Sequence, residues 1–526
     1  MMWEVIAKHA LIDTVTVAYL CILLIIAMYG IHRYVLVYLY IKHRHDGYKP
    51  TKRFDELPRV TVQLPMYNED FVAERIIKAS CKIDYPREKF EIQVLDDSTD
   101  HSAEIARKAC EEMAALGHPI KYIHRDNRVG YKAGALAAGL KEATGDYIAI
   151  FDADFIPPTD LFYNVVDYFA DDKIGMVQIR WDHLNRDASL LTKSQAIFLD
   201  GHFVIEHTAR NRSGRFMHFN GTAGVWRRTT IDDAGGWQHD TLTEDLDLSY
   251  RAQLKGWQFV YLPQYAAPAE LPPEMIGFKQ QAHRWTKGSC QTAIKLLPRI
   301  LKSKHLPRSV KTEAFFHLTC TIVYPLMVML TLLMYPTFFN VYGPFKYAPW
   351  AQKLFSASLF VLATCSASTF FVFAQRELFG KIAGWRSLLY LPFLMGLGVG
   401  ISVNNAKAVI EAIWGAFRKQ SKNEFVRTPK YGVTGQDKKS WQPARVFTIK
   451  KLLLPLVEIS LGIYMFICLV VSVCYQYGIG SAPFLAVFAG GYLYVGFASL
   501  HALWKMSRGS FDTVVETVEP VEQLPA

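Results

Sequence analysis

The chain has 526 residues, 51% of them hydrophobic and 20% charged, with a formal net charge of +10. That length holds a core-bearing domain plus a membrane part, and the apolar share exceeds that of an ordinary soluble domain. The positive charge does not point to nucleic acid, because much of it flanks apolar segments, where Lys and Arg set membrane orientation. The eight cysteines stand singly without a C-x-x-C, and Cys21, Cys320, Cys365 and Cys468 sit in apolar runs, which argues for reduced, buried thiols against a disulfide frame or a zinc site.

The first apolar run, roughly Thr14 to Ile31, has no small-residue cleavage site behind it and reads as a retained anchor. The basic stretch "HRYVLVYLYIKHRHDGYKPTKR" that follows places its side of the membrane in the cytoplasm. Residues 1–50 are thus expected to be anchor and linker.

Residues 51–300 read as a soluble domain. Short apolar runs end in polar clusters: "RVTVQLPMYNED", "FEIQVLDDSTD", "KYIHRDN" and "DYIAIFDAD". Helical segments are expected between them over Asp70–Lys82, Ser102–Leu116 and Lys132–Ala143. Alternating strands and helices predict a mostly parallel α/β sheet, whose ligands bind beyond the carboxyl ends of the strands.

The acidic clusters fall at those ends. Tyr67, Asn68 and Glu69 close the first run, and Asp96 and Asp97 close the second. An aromatic beside acids suits a nucleobase and ribose; a half-buried turn aromatic is the plainer alternative. "RDNRVGYKAGALAAG" sets Arg125, Arg128 and Lys132 at a helix start with Gly130 and Gly134. Cations there suit phosphate, or else form a solvated basic turn. Asp152 and Asp154, two apart after "IAIF", point one way if extended. Paired hard oxygens suit Mg²⁺ or Mn²⁺, shared with substrate phosphates.

Further on, "FNGTAGVWR" sets Gly221 and Thr222 among small residues, for close approach of backbone to a ligand or for a tight turn. "TLTEDLDLSYRAQLKGW" brings Glu244, Asp245 and Asp247. A carboxylate there can take the proton of a sugar hydroxyl, while Thr243 can cap a helix whose dipole favours those acids. In "GFKQQAHRWTKGSC", Gln281, Arg284 and Trp285 share one helix face, which fits either a membrane-surface helix or a sugar site.

Residues 301–505 carry apolar spans near Phe315–Phe339, Leu354–Phe373, Leu453–Tyr475 and Phe484–Leu503, plus a short glycine-interrupted run, Leu388–Val403. A basic loop over 404–451 is expected in the cytoplasm, and three full crossings before it would put it outside, so either Leu388–Val403 is re-entrant or a segment is miscounted. Glu458, inside an apolar run, must face protein or water. An acidic disordered tail is expected over 506–526.

Together these residues resemble the membrane-bound, processive family 2 glycosyltransferases, which include the cellulose, chitin and hyaluronan synthases. The family pattern D-D, D-x-D, T-E-D and Q-x-x-R-W reads here Asp96-Asp97, Asp152-Ala153-Asp154, Thr243-Glu244-Asp245 and Gln281 to Trp285. The phrases "VQLPMYNE", "RDN…GYKAGAL", "IFDADF" and "FNGTAGVWR" bring the chain closer to the cellulose-synthase-like A and C groups. Those groups make mannan or glucomannan and β-1,4-glucan.

The resemblance implies a GT-A fold with a cytoplasmic catalytic domain and a multi-pass helical membrane domain. It implies inverting transfer from a nucleoside diphosphate sugar, UDP-glucose or GDP-mannose, with Mg²⁺ or Mn²⁺. Tyr67, Glu69, Asp96, Asp97 and Lys132 would then serve the donor, and Asp152 and Asp154 the metal and diphosphate. Asp245 would be the base, with Glu244 beside it. Gly221, Thr222, Gln281, Arg284 and Trp285 would serve the acceptor, the last three also the diphosphate. "NEFVRTPKYG" is similar to the family's gating loop through Phe425, Thr428 and Lys430, with Arg427 altering the usual spacing. The expected product is a β-linked glucan or glucomannan passed through the bilayer of a bacterial inner membrane. The alternatives are a single transfer onto a lipid, and a non-catalytic scaffold or transporter.

Overall fold

The computed structural model describes residues 2–338, 349–418, 427–432, 449–475 and 481–516. Strand β1 (Val60–Met66) is buried throughout except at Pro65. A strand with no wet face belongs in the middle of a covered sheet. It pairs in parallel with β2 (Phe90–Asp96) on one side and β4 (Tyr147–Ile150) on the other. With β3 (Ile120–His124), β5 (Ile174–His183), β6 (Gly224–Arg227) and β7 (Gln258–Ala269), the order is 3-2-1-4-6-5-7. Only β6 runs against its neighbours, β4 and β5. This is the expected mostly parallel α/β sheet, of GT-A type.

Apolar layers cover both faces, one built on Val62, Ile76 and Phe162, the other on Leu95, Leu136 and Trp226. Gly139 lets a helix lie against the sheet, since a Cβ there would sit 2.7 Å from Gln63 Nε2. The three expected helices occur as Ala73–Ser80, Ser102–Ala115 and Tyr131–Glu142.

The first helix, α1 (Met2–His43), runs on through the basic stretch, because "VLVYLYI" between its cations is itself apolar. Four described helices are long and apolar enough to cross a membrane: Asp13–His43, Arg308–Tyr335, Leu453–Cys474 and Ala482–Met506. The short run near Leu388 becomes two helices, Lys381–Ser387 and Leu391–Gly400, bent by 49°. Its glycines also serve packing: a Cβ on Gly400 would strike Gly491 O at 2.4 Å. Two sequence expectations shift. The amphipathic helix Ser402–Arg418 takes up the start of the loop expected from 404, and the helix Ala482–Glu516 runs into the tail expected to be disordered. All eight cysteines are free, but Cys21, Cys320 and Cys365 face outwards on their helices while Cys468 is buried.

Candidate active site

Three strand ends open into one cleft. After β1, Asn68 takes a positive φ of 54°. Its backbone N–H donates to Ser98 Oγ (2.8 Å) and its Oδ1 accepts from the Thr99 N–H (2.9 Å). This turn leaves Tyr67 and Glu69 on the cleft wall. Burial raises the pKa of Glu69 to about 7, against the pull of Arg427 and Lys430. The Arg128 guanidinium lies 3.3 Å from the centre of the Tyr67 ring, a cation–π stack.

After β2, Asp97 faces the cleft and receives Arg125 in a two-pronged pair (2.7 and 2.5 Å). Asp96 does not reach it. Fully buried, Asp96 accepts from the Ser98 N–H (3.0 Å) and the Tyr122 hydroxyl (2.7 Å), so it shapes the turn. Strand residues alternate sides, and the second acid of the pair takes the open one.

β4 ends at Ile150, so Asp152 and Asp154 stand in a turn beyond the strand and not in an extended segment. Both line the cleft with different partners. Lys132, on the helix α2 (Tyr131–Glu142), places Nζ 2.5 Å from Asp152 Oδ1 and 2.9 Å from Gly221 O. Burial pulls the Lys132 pKa down, but Asp152, Glu244 and Asp245 outweigh it and the net shift is upward. Thr222 does not line the cleft; its Oγ1 accepts from the Asp152 N–H (2.9 Å) and fixes that turn. Gly221 sits at φ 81°, where a Cβ would come within 3.0 Å of Asp245 Oδ2.

Helix α3 (Glu244–Leu254) carries Glu244 and Asp245 in its first turn. Thr243 holds the N-cap position but makes no side-chain cap; its hydroxyl turns to Thr292 Oγ1 at 3.3 Å. The reason is packing: Gly288 of α4 (Met275–Lys302) lies so close that a Cβ there would meet Thr243 at 2.5 Å. Asp245 keeps some exposure to the cleft. Desolvation first, and the neighbouring Glu244 second, raise its pKa to about 7. Glu244 is raised as well, chiefly by burial.

Gln281, Arg284 and Trp285 do share one face of α4, and all three line the cleft. Burial lowers the Arg284 pKa against the opposing pull of Asp152, Glu244, Asp245 and Asp154. Phe425 lies outside the described residues. Thr428 is buried on the cleft wall, and the Lys430 ammonium pairs with Asp154. Arg427 donates to Tyr67 O (3.3 Å). Sequence reasoning missed Glu270, which also lines the cleft, pairs with Arg75 (2.7 Å) and accepts from the Tyr431 N–H (3.1 Å). The two acids of "PAELPPE", Glu270 and Glu274, stand in no motif that signals that role.

Glu69, Asp97, Asp152, Asp154, Glu244, Asp245 and Glu270 thus face Arg128, Lys132, Arg284, Arg427 and Lys430 across one space. The carboxylates outnumber the cations, and ammonium groups already sit on Asp152 and Asp154. A divalent cation on hard oxygens fits this set, and the remaining cations fit phosphate.

Residues 58–288 match the family model described as "Glycosyltransferase like family 2". The chain is 40% identical over 288 residues to glucomannan 4-beta-mannosyltransferase 9 of Arabidopsis thaliana, covering 51% of this chain and 54% of that one. It is 32% identical over 440 residues to glucomannan 4-beta-mannosyltransferase 1 of Cyamopsis tetragonoloba, covering 82% and 80%. The first of these matches therefore spans about half of the relative's length. Among solved structures, a mannosyltransferase from Pyrobaculum calidifontis in complex with GDP-Man and Mn²⁺ aligns at 21% identity. That alignment covers 73% of this chain and 99% of the other, with a TM-score of 0.48.

Proposed function

The chain belongs to the family 2 glycosyltransferases, in the cellulose-synthase-like A/C group, and on that premise we propose that it elongates a β-1,4-linked mannan or glucomannan from GDP-mannose. The observation that carries this reading is the single cleft that joins Asp152, Asp154 and Asp245 to the Gln281–Arg284–Trp285 face of α4. The donor choice draws on the mannosyltransferases among its relatives.

Asp245 takes the proton of the acceptor hydroxyl, whose oxygen then attacks the anomeric carbon as the bond to the diphosphate breaks and the diphosphate leaves with the electron pair. A carboxyl with a pKa about 7 is matched to that task near neutral pH. Asp152 and Asp154 would hold Mg²⁺ or Mn²⁺, which when bound neutralises charge on the departing diphosphate. Lys132 and Arg284 supply further positive charge to the phosphates. Tyr67, with Arg128 over it, and Asp97 form the nucleoside end. The Trp285 ring packs against the terminal sugar and keeps the chain in register, and Thr428 and Lys430 close over the donor. With α4 beside the apolar helices, the product passes through the bilayer as it grows, from a catalytic domain on the cytoplasmic side.

The test is incubation of purified protein with GDP-mannose or UDP-glucose and Mg²⁺ or Mn²⁺. The expected product is a long polymer from GDP-mannose that a β-mannanase cuts. A polymer made only from UDP-glucose and cut by cellulase would overturn the sugar, and a single sugar on a lipid would overturn elongation.

A further inference from the structure

A second cluster lies behind Asn220, a cleft residue that the chemistry above does not use. Residues Gly201–His207 form a π-helix between the helices Leu190–Asp200 and Thr208–Arg212. In an α-helix, residues five apart stand about 140° apart around the axis, given 3.6 residues per turn. The i→i+5 step of a π-helix brings them towards one side, and such segments gather at functional sites. Here it sets the rings of His202 and His207 with centroids 4.5 Å apart. His218, from the run that leads into "FNGTAG", lies 4.9 Å from His207 and 5.4 Å from His202.

One ring nitrogen from each of the three lies within 4.8 Å of the other two. Around a tetrahedral ion at about 2.0–2.1 Å such nitrogens stand roughly 3.3–3.4 Å apart, so a small adjustment of the rings closes the trio. His207 is fully buried, and neither of its ring nitrogens has a hydrogen-bond partner among the described residues. His218 Nδ1 is likewise unpartnered there. Nε2 of His202 and Nε2 of His218 both face the amide nitrogen of Asn220, at 3.2 and 3.1 Å. The other nitrogen of His202 is held by Glu206 Oε2 at 2.8 Å, the carboxylate–histidine arrangement that orients metal ligands. Glu206 also meets Arg210, whose charge is shared with Glu313.

We propose that His202, His207 and His218 form a three-imidazole site for a divalent transition metal of the Zn²⁺ class, separate from Asp152 and Asp154. All-nitrogen donors suit Zn²⁺ and its neighbours, whereas the all-oxygen pair suits Mg²⁺ or Mn²⁺. An ion there restrains His218 and the Asn220–Gly221 turn, and through Gly221 O the Lys132 ammonium.

The test uses the full-length protein in detergent, stripped with chelator and then held in excess Mg²⁺ so that the carboxylate pair is occupied. Titrated with Zn²⁺ and passed through a desalting column, it should retain one zinc per chain by elemental mass spectrometry. His218→Asn and His202→Gln should each weaken retention at least tenfold, and Asp152→Asn with Asp154→Asn should leave it unchanged. No retained zinc, equal retention in the histidine variants, or loss in the aspartate variant would overturn the site. If a histidine variant does not fold, Co²⁺ bound to the unaltered protein decides: intense visible bands of a four-coordinate nitrogen-rich ion support the site, and only the weak bands of a six-coordinate oxygen-bound ion refute it. The readout does not depend on which sugar is transferred, or on transfer at all.

Discussion

The cleft and the joint between the sheet domain and the apolar helices treat charge in opposite ways. In the joint, buried charges are paired across the boundary. Lys279 on α4 places Nζ 2.7 and 2.9 Å from the carboxylate of Glu458 in the helix Leu453–Cys474. Arg210 meets Glu313 of the helix Arg308–Thr319 at 2.9 Å, and Glu313 meets His32 of α1 at the same distance. In the cleft, Asp245 and Glu244 stand side by side in a desolvated wall, and burial drives both pKa values up, with a smaller push from Glu244 on Asp245 and from Asp152 on Glu244. Matched charges fix how α4 sits against the apolar helices. Mismatched charges leave a carboxyl that holds its proton up to about pH 7, at the expense of some stability.

The sharpest way to break this contrast is Asp245→Asn, which keeps the shape and removes the proposed base. Transfer should fall by about 10²–10⁴-fold, the usual contribution of general base catalysis. Donor binding, followed by calorimetry, should change little. Normal turnover in this variant would return Asp245 to a helix-start acid.

Next in size is Glu458→Ala. Stranding Lys279 in a buried site should remove about 3–5 kcal/mol of stability. Thermal unfolding in detergent should show it, and the double variant Lys279→Met with Glu458→Leu should recover much of the loss. An unchanged midpoint in Glu458→Ala would mean that the pair does not hold the joint.

The pH profile probes the raised carboxyl of Asp245. The base works ionised and its pKa is raised to about 7, so the rate should climb about tenfold per pH unit below 7 and level off above it. Stability should move the other way. The folded state holds the Asp245 proton more tightly than the unfolded chain, whose carboxyl titrates near 3.9. Stability attached to this group is therefore full below the unfolded value and declines as pH rises through about 7. Asp245→Asn should flatten the rate slope and lessen the stability slope, to which Glu69 also contributes. The smallest expected effect is that of Trp285→Ala, which should shorten the polymer while total sugar incorporation falls far less than in Asp245→Asn. Unchanged chain length would restore Trp285 to a membrane-surface aromatic.

The chain's own order of residues determined a good deal. The strand-end acids, the D-x-D pair, Glu244-Asp245 and the Gln281–Arg284–Trp285 face are local patterns, and short spacing along a strand end or helix fixes where such groups point. The mostly parallel sheet was legible for the same reason, since β1 to β4 each read as an apolar run ending in polar residues. Packing decided the rest. Asp96 turns inward to Tyr122 while its neighbour Asp97 opens to the cleft. Thr243 abandons its cap for Thr292 because Gly288 lets α4 press close. Glu458 finds Lys279 across 179 residues of chain, and His218 reaches the π-helical His202 and His207 only in the folded domain. Spacing along the chain sets what a strand end or a helix face presents; it is silent on which distant group will be there to meet it, because that depends on how whole elements pack.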